Sequence, residues 1–504
     1  MLTGRRIALG ALAALSSLAA DPMPAGAHAF GERYDLPLPL GLYLIGAGAA
    51  VGLSFVVMAV FLTRQRDDRT APRTRAWRLS SMTGRAYSVV GTTLECLSVG
   101  AFLLIIATGF FGSHAPTHNF APVMVWVVWW VGMAFVSALL GDLWRLINPW
   151  SIIFSWFEAL LGRLSPGRKL VGRLHYPVWL EVWPAVMLFI IYAWLELLWA
   201  GRSQPAPLAA VILAYSAVTW IAMFAYGRKT WLEHGEVFTL VFSMFARFAP
   251  LETIREVETI RDGRSPGLFL RPYALGLVTE KPVSASLMVL VLAILSTVAF
   301  DGFVETPAWF EALQWAMLND TVRHLLNALR LSPPELIVAI KSMALVAFPL
   351  AFVATYLVFA TLTRLAGWWA GGSRLPLGLS AGSFVLSLVP IAIAYHLAHY
   401  FLFLLQTGQL MIPLVSDPFG LGWDLFGTAA YQMTIGIMNA RSAWYLALTA
   451  IVLGHVLAVY VAHVMALRLY GTSGAALWSQ VPMVVLMIGY TVTSLWILSQ
   501  PVVS

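Results

Sequence analysis

The sequence predicts an all-α fold, a polytopic transmembrane bundle of about ten spans that follows a cleaved signal peptide. Three observations carry this expectation. Of 504 residues, 60% are apolar and 11% charged, where a soluble domain carries about a quarter charged residues. Apolar runs of roughly twenty residues recur along the chain, long enough to cross a hydrocarbon core of about 30 Å as helices and too long for barrel strands. Finally, the basic residues concentrate in alternate loops, as the positive-inside rule requires.

The first residues read as an export signal, residues 1–27. Arg5 and Arg6 precede the apolar stretch Ile7 to Ala20, and Ala25-Gly26-Ala27 offers small residues for cleavage. His28 then becomes the mature amino terminus, and residues 28–504 form a single integral membrane domain. An uncleaved anchor is the alternative. Hydropathy places spans near 38–62, 88–110, 121–141, 181–199, 207–226, 282–301, 337–362, 379–405, 440–466 and 479–499.

Most of the 31 Lys and Arg fall in loops that this topology makes cytoplasmic, among them Arg64, Arg66, Arg69, Arg73, Arg75 and Arg78 after the first span. The expected setting is therefore a bacterial inner membrane with a periplasmic mature amino terminus. The net charge of +7 belongs to these loops and forms no basic domain, so the expected partner is the lipid bilayer and not nucleic acid. The single Cys96 excludes an intramolecular disulfide and any CxxC motif. Trp126, Trp129, Trp130, Trp194, Trp199, Trp444 and Trp496 are assigned to interfacial belts.

Two apolar segments, Trp144 to Leu161 and Glu236 to Phe248, are too short or interrupted to span and are expected to be interfacial or re-entrant. Asp142 and Arg145, three apart, are read as a pair holding the end of span three, with Pro149 stopping the helix. Gly48 and Gly52 form a small-xxx-small packing pair. Gly378-Leu379-Ser380-Ala381-Gly382 matches a nucleophile-elbow pattern but opens a membrane helix, without the strand that the motif needs.

Ionisable residues inside spans are costly and mark function by default, with hydrogen bonding inside the bundle as the alternative. His396 and His399 share a face of the eighth span; His455 and His463 lie on the ninth. Depth along the predicted spans puts His396 and His399 on the outer side with Glu196, Asp301, Asp417 and Asp424, and brings His455 to mid-membrane. Imidazoles and carboxylates suit copper or zinc, and facing helices can also hold haem by histidine. The candidate metal ligands are therefore His396, His399, His455 and the chelating mature terminus His28; Glu196, Asp301 and Asp417 are the candidate catalytic carboxylates. A proton or substrate relay uses the same residues.

The blocks Asn119-Phe120-Ala121-Pro122, Gly141-Asp142 with Asn148-Pro149-Trp150, Trp194-Leu195-Glu196-Leu197, Phe300-Asp301-Gly302, Pro390 to Tyr400, Ser416-Asp417-Pro418 and Gly454-His455 resemble a family of bacterial multi-span proteins labelled fenitrothion hydrolase. Relatives tend to read His-Asp-Arg where this chain has His463-Val464-Met465. The label implies hydrolysis of organophosphate-type esters, for which a bound metal would activate water. The competing classes are a membrane transporter and a metal-, haem- or copper-handling accessory protein. Both would take a small molecule or metal ion as ligand.

Overall fold

A computed structural model describes residues 38–61, 77–80, 85–165, 171–254, 267–279, 281–320, 322–324 and 332–500. Residues 1–27, where the sequence suggests an export signal, and His28 lie outside the described residues. Ten helices among those residues are long and apolar enough to cross a membrane: Leu40–Val60, Val89–Phe111, Phe120–Leu139, Val178–Leu197, Pro205–Tyr226, Ala285–Phe303, Pro334–Trp369, Leu377–Ser416, Ala440–Tyr470 and Ser473–Ser499. They are numbered here as spans one to ten. The chain is a polytopic helical membrane protein.

Alternation places the ends of spans two, four, six and eight on one face. That face also carries the irregular stretch between Ser416 and Ala440 and is called the loop-rich face below. The opposite face carries a three-stranded antiparallel sheet of β1 (Trp77–Ser80), β2 (Leu251–Ile254) and β3 (Gly267–Leu270), with β3 in the middle. Spans eight, nine and ten pack in sequence order, and span one lies against nine and ten. A Cβ on Gly48 would stand 3.3 Å from the Ile488 side chain, and one on Gly52 would stand 3.6 Å from it. The small pair therefore seats span one on span ten.

The two short apolar segments enter the membrane and turn back. Asn148 caps a helix running Pro149–Leu164, its side chain accepting from the Ser151 N–H. Pro149 thus starts this helix where the sequence suggested a stop, because the first helical turn has no partner for an N–H that proline lacks. Ser98 of span two donates to the Ile147 carbonyl, and the Trp150 indole donates to Ser216 of span five at 2.7 Å. Ser98 and Ser216 lie midway along their spans, so this helix begins deep in the membrane. It runs back to the sheet face, where Phe157 meets Phe224 and Glu158 pairs with Arg228 at 3.0 Å.

The second segment behaves alike. Glu236 caps Val237–Ala246, accepting from the Phe238 and Thr239 backbone N–H groups. It also accepts from Tyr215 and Asn148 side chains. Two half-helix amino termini therefore converge on one fully buried carboxylate. Their partial positive charges favour an anion at that point, and the hydrogen bonds remove the cost of burying it. At its other end Val237–Ala246 is capped by Arg271, which donates to the carbonyls of Ala246, Arg247 and Ala249.

Around this junction Trp129, Trp144 and Trp150 pack edge and face with Phe238 and Phe242, the closest pair being Trp129–Phe238 at 4.6 Å between centroids. Trp129 and Trp130 are therefore interior residues and not part of an interfacial belt. They sit on a π-helical stretch, Met124–Gly132, within span three. The Asp142 carboxylate accepts from the Arg145 backbone N–H at 3.1 Å, which ties the end of span three to the short helix Trp144–Ile147.

Candidate functional site

The end of span six supplies the central group. Asp301 Oδ2 lies 2.8 Å from His399 Nε2 and accepts from the Tyr400 hydroxyl at 3.0 Å. Both partners stand on span eight, one residue apart, so their side chains leave the helix about 100° apart and reach the carboxylate from two sides. Gly302 makes the approach possible: a Cβ there would be 2.7 Å from Ile497 and 2.9 Å from the Tyr395 hydroxyl.

Asp301 and Tyr400 line a cavity of about 250 Å³ at the loop-rich face, together with Glu196, Glu305, Arg202 and Lys341. Three carboxylates and two cations thus share one space. Arg202 is fixed by donating to the Glu196 and Leu197 carbonyls at the end of span four. Trp126 donates in turn to the Arg202 carbonyl at 2.8 Å. Burial pushes the Glu305 carboxyl above its ordinary value of 4.5, against the pull of nearby Lys341.

Glu196 and Tyr400 also line a second, enclosed space of about 20 Å³ that reaches His396. That volume holds about one water molecule. His396 is buried, and its Nε2 has no hydrogen-bond partner among the described residues. Its ring packs against Trp130, Phe135, Phe245 and Tyr400, the last at 4.6 Å. The Trp130 indole N–H approaches the Glu196 carboxylate closely enough to interact with it, yet completes no hydrogen bond of normal geometry.

Of the residues singled out in the sequence, Glu196, Asp301, His396 and His399 therefore meet in one region. The others do not join them. Asp417 accepts from the Leu421 and Gly422 backbone N–H groups and holds its own loop, as Asp424 does through Ala429. His455 is bonded through Nδ1 to the Ile451 carbonyl of its own helix. His463 pairs with Gln480 of span ten. Among the described residues, no three His, Cys, Asp or Glu side chains form a group that could hold a metal ion.

Arg202, Glu305, Lys341 and Tyr400 were not singled out by sequence reasoning. Lys341 carried a usable signal, because it is a lysine inside a predicted span. No family model, curated protein or solved structure matches the chain.

Proposed function

We propose that this membrane protein binds a small polar substrate in the charged cavity of the loop-rich face and acts on it by acid–base chemistry, with Asp301 as the base. The observation that carries this reading is the hydrogen-bonded His399–Asp301–Tyr400 set opening onto a cavity that also holds Arg202 and Lys341. A carboxylate oriented by two fixed partners is poised to take a proton from water. Cations across the cavity favour a transition state in which negative charge grows on oxygen. Hydrolysis of an organophosphate-type ester, which the family resemblance implies, needs both. Water would attack phosphorus, its proton would pass to Asp301, and the bond from phosphorus to the leaving oxygen would break. The charge bias of the loops supports a bacterial inner membrane with the loop-rich face in the periplasm.

The residues present do not fit a formed metal centre. Glu196 and His396 share one small cavity while Asp301 and His399 bond to each other, so among the described residues no three donors converge as the three protein ligands of catalytic zinc sites do. No step here depends on a metal. A transporter reading is favoured by one observation, the excess of carboxylates over cations in the cavity, which suits uptake of a cation.

Purified protein in lipid nanodiscs, assayed with paraoxon, a chromogenic phosphate triester, tests the proposal. Release of nitrophenolate above the rate in empty nanodiscs is expected. Absent turnover, combined with cation uptake into proteoliposomes, would move the site to transport.

A further inference from the structure

The charged cavity holds ions of both signs that do not meet. Glu196, Glu305, Arg202 and Lys341 all line it, and Lys341 is near enough to attract the Glu305 carboxylate. Yet among the described residues no oxygen of Glu196 or Glu305 lies within the 4.0 Å of an ion pair from a nitrogen of Arg202 or Lys341. Local structure holds these groups apart. Arg202 commits Nη1 to the carbonyls of Glu196 and Leu197. Lys341 precedes Ser342, whose hydroxyl accepts from the Trp194 indole at 2.8 Å and ties span seven to span four. Glu305 stands in the turn before the helix Pro307–Leu318, which is closed by the Thr306 N–H on the Phe303 carbonyl and by the Thr306 side chain capping that helix.

Opposite charges in a poorly solvated space attract more strongly than in water, and each one left uncompensated there is costly. Held apart around a cavity, they fit a ligand that carries both signs. A cation alone would leave Arg202 and Lys341 uncovered, and an anion alone would leave Glu196 and Glu305. The volume of about 250 Å³ falls just below the range of drug-sized pockets, so the ligand is small. Val123, Val127 and Phe403 also line the cavity and suit the carbon chain that joins the two charges.

We propose that the cavity takes a small zwitterion, a phosphate ester whose alcohol carries an ammonium group, with the phosphate against Arg202 and Lys341 and the ammonium against Glu305. Guanidinium and ammonium donors make charge-assisted hydrogen bonds to phosphate oxygens. Glu305 is the carboxylate with no other engagement: Asp301 is bonded to His399 and Tyr400, and Glu196 also borders the enclosed space at His396. The phosphate class rests on the reading of this cavity as a site for esters of phosphorus, whereas the capture of two opposite charges does not depend on Asp301 as the base. A soluble ester and the headgroup of an ethanolamine phospholipid offer the same chemistry.

Equilibrium dialysis against protein in phosphatidylglycerol nanodiscs tests this with three probes: glycerophosphoethanolamine, glycerophosphoglycerol, which lacks the ammonium, and ethanolamine, which lacks the phosphate. Wild type should bind the first saturably and prefer it roughly tenfold to either of the others, the equivalent of one charge-assisted hydrogen bond. In protein that stays monodisperse, Glu305→Gln should remove the preference over glycerophosphoglycerol, and Lys341→Met the preference over ethanolamine. Lys341→Arg should restore the latter, which a merely structural loss would not allow. Adding phosphatidylethanolamine to the nanodiscs separates the two sources: loss of the free probe assigns the site to the lipid headgroup, and unchanged binding assigns it to a soluble ester. No preference for the zwitterion in wild type, or a preference that survives both Glu305→Gln and Lys341→Met, would overturn the proposal. Paraoxon carries neither charge, so its turnover tests the role of Asp301 separately.

Discussion

His399 Nε2 and Asp301 Oδ2, 2.8 Å apart, tie span eight to the end of span six at the floor of the charged cavity. The contact is largely buried, with side-chain exposures of 3% and 16%. Removing the imidazole leaves the carboxylate short of a partner in a poorly solvated place, which costs about 1–3 kcal/mol. Asp301→Asn keeps an acceptor for Tyr400 and removes the charge. His399→Ala should therefore lower the unfolding midpoint more than Asp301→Asn, as read by thermal melting in detergent.

The junction of the re-entrant helices should be the more sensitive structural point. Glu236 accepts from Tyr215, Asn148 and two backbone N–H groups. Glu236→Ala strands these donors at mid-membrane and should destabilise by several multiples of the about 1–3 kcal/mol that one buried unsatisfied group costs. Folded yield after reconstitution reports it. Asn148→Asp places a second carboxylate against the first, and should also reduce yield.

Gly302→Ala tests the packing behind the site. The added methyl would meet Ile497 and the Tyr395 hydroxyl at 2.7 and 2.9 Å, and overpacking of this kind costs about 1–3 kcal/mol. Because Asp301 is the adjacent residue, the substitution should lower both melting temperature and turnover. Gly422→Ala, where no atom lies within 4 Å but φ is +86°, should lower stability alone.

Glu305 gives a pH dependence of definite sign. Burial raises its carboxyl above 4.5 in the folded protein, so the folded state holds the proton more tightly than the unfolded one. The stabilising contribution is full below the unfolded value and is lost as pH rises through the raised folded value. Wild type should therefore lose stability on going upward from about pH 4.5 relative to Glu305→Gln, whose melting temperature should lack this component.

The fold was legible because membrane physics leaves few choices. Twenty-residue apolar runs must be helices in lipid, and the basic loops alternate. The re-entrant segments were visible as apolar stretches too short to span, but their meeting point was not. Asn148 and Glu236 are 88 residues apart, and neither carries a signal for its partner. In the candidate site, Asp301, His399, His396 and Glu196 stood out because ionisable groups are rare in spans. Asp417 stood out for the same chemistry and proved to hold a turn. Depth along a predicted helix does not reveal which side of the helix faces the cavity, and this is also why His455, on a neighbouring span, turned out bonded to its own backbone.

Orientation can be checked in a Cys96→Ala background, where Gly422→Cys and Arg374→Cys lie on opposite faces. A membrane-impermeant maleimide applied to intact spheroplasts should label the first and spare the second. The reverse pattern would put the charged cavity on the cytoplasmic side.

Asp301 is the group proposed to take the proton, and the most direct measurement is the paraoxon turnover of Asp301→Asn beside wild type in nanodiscs. General-base loss is worth about 10²–10⁴ in rate. A fall of at least a hundredfold is therefore expected in protein whose melting temperature is little changed. Turnover at the wild-type rate by a folded Asp301→Asn protein would contradict it.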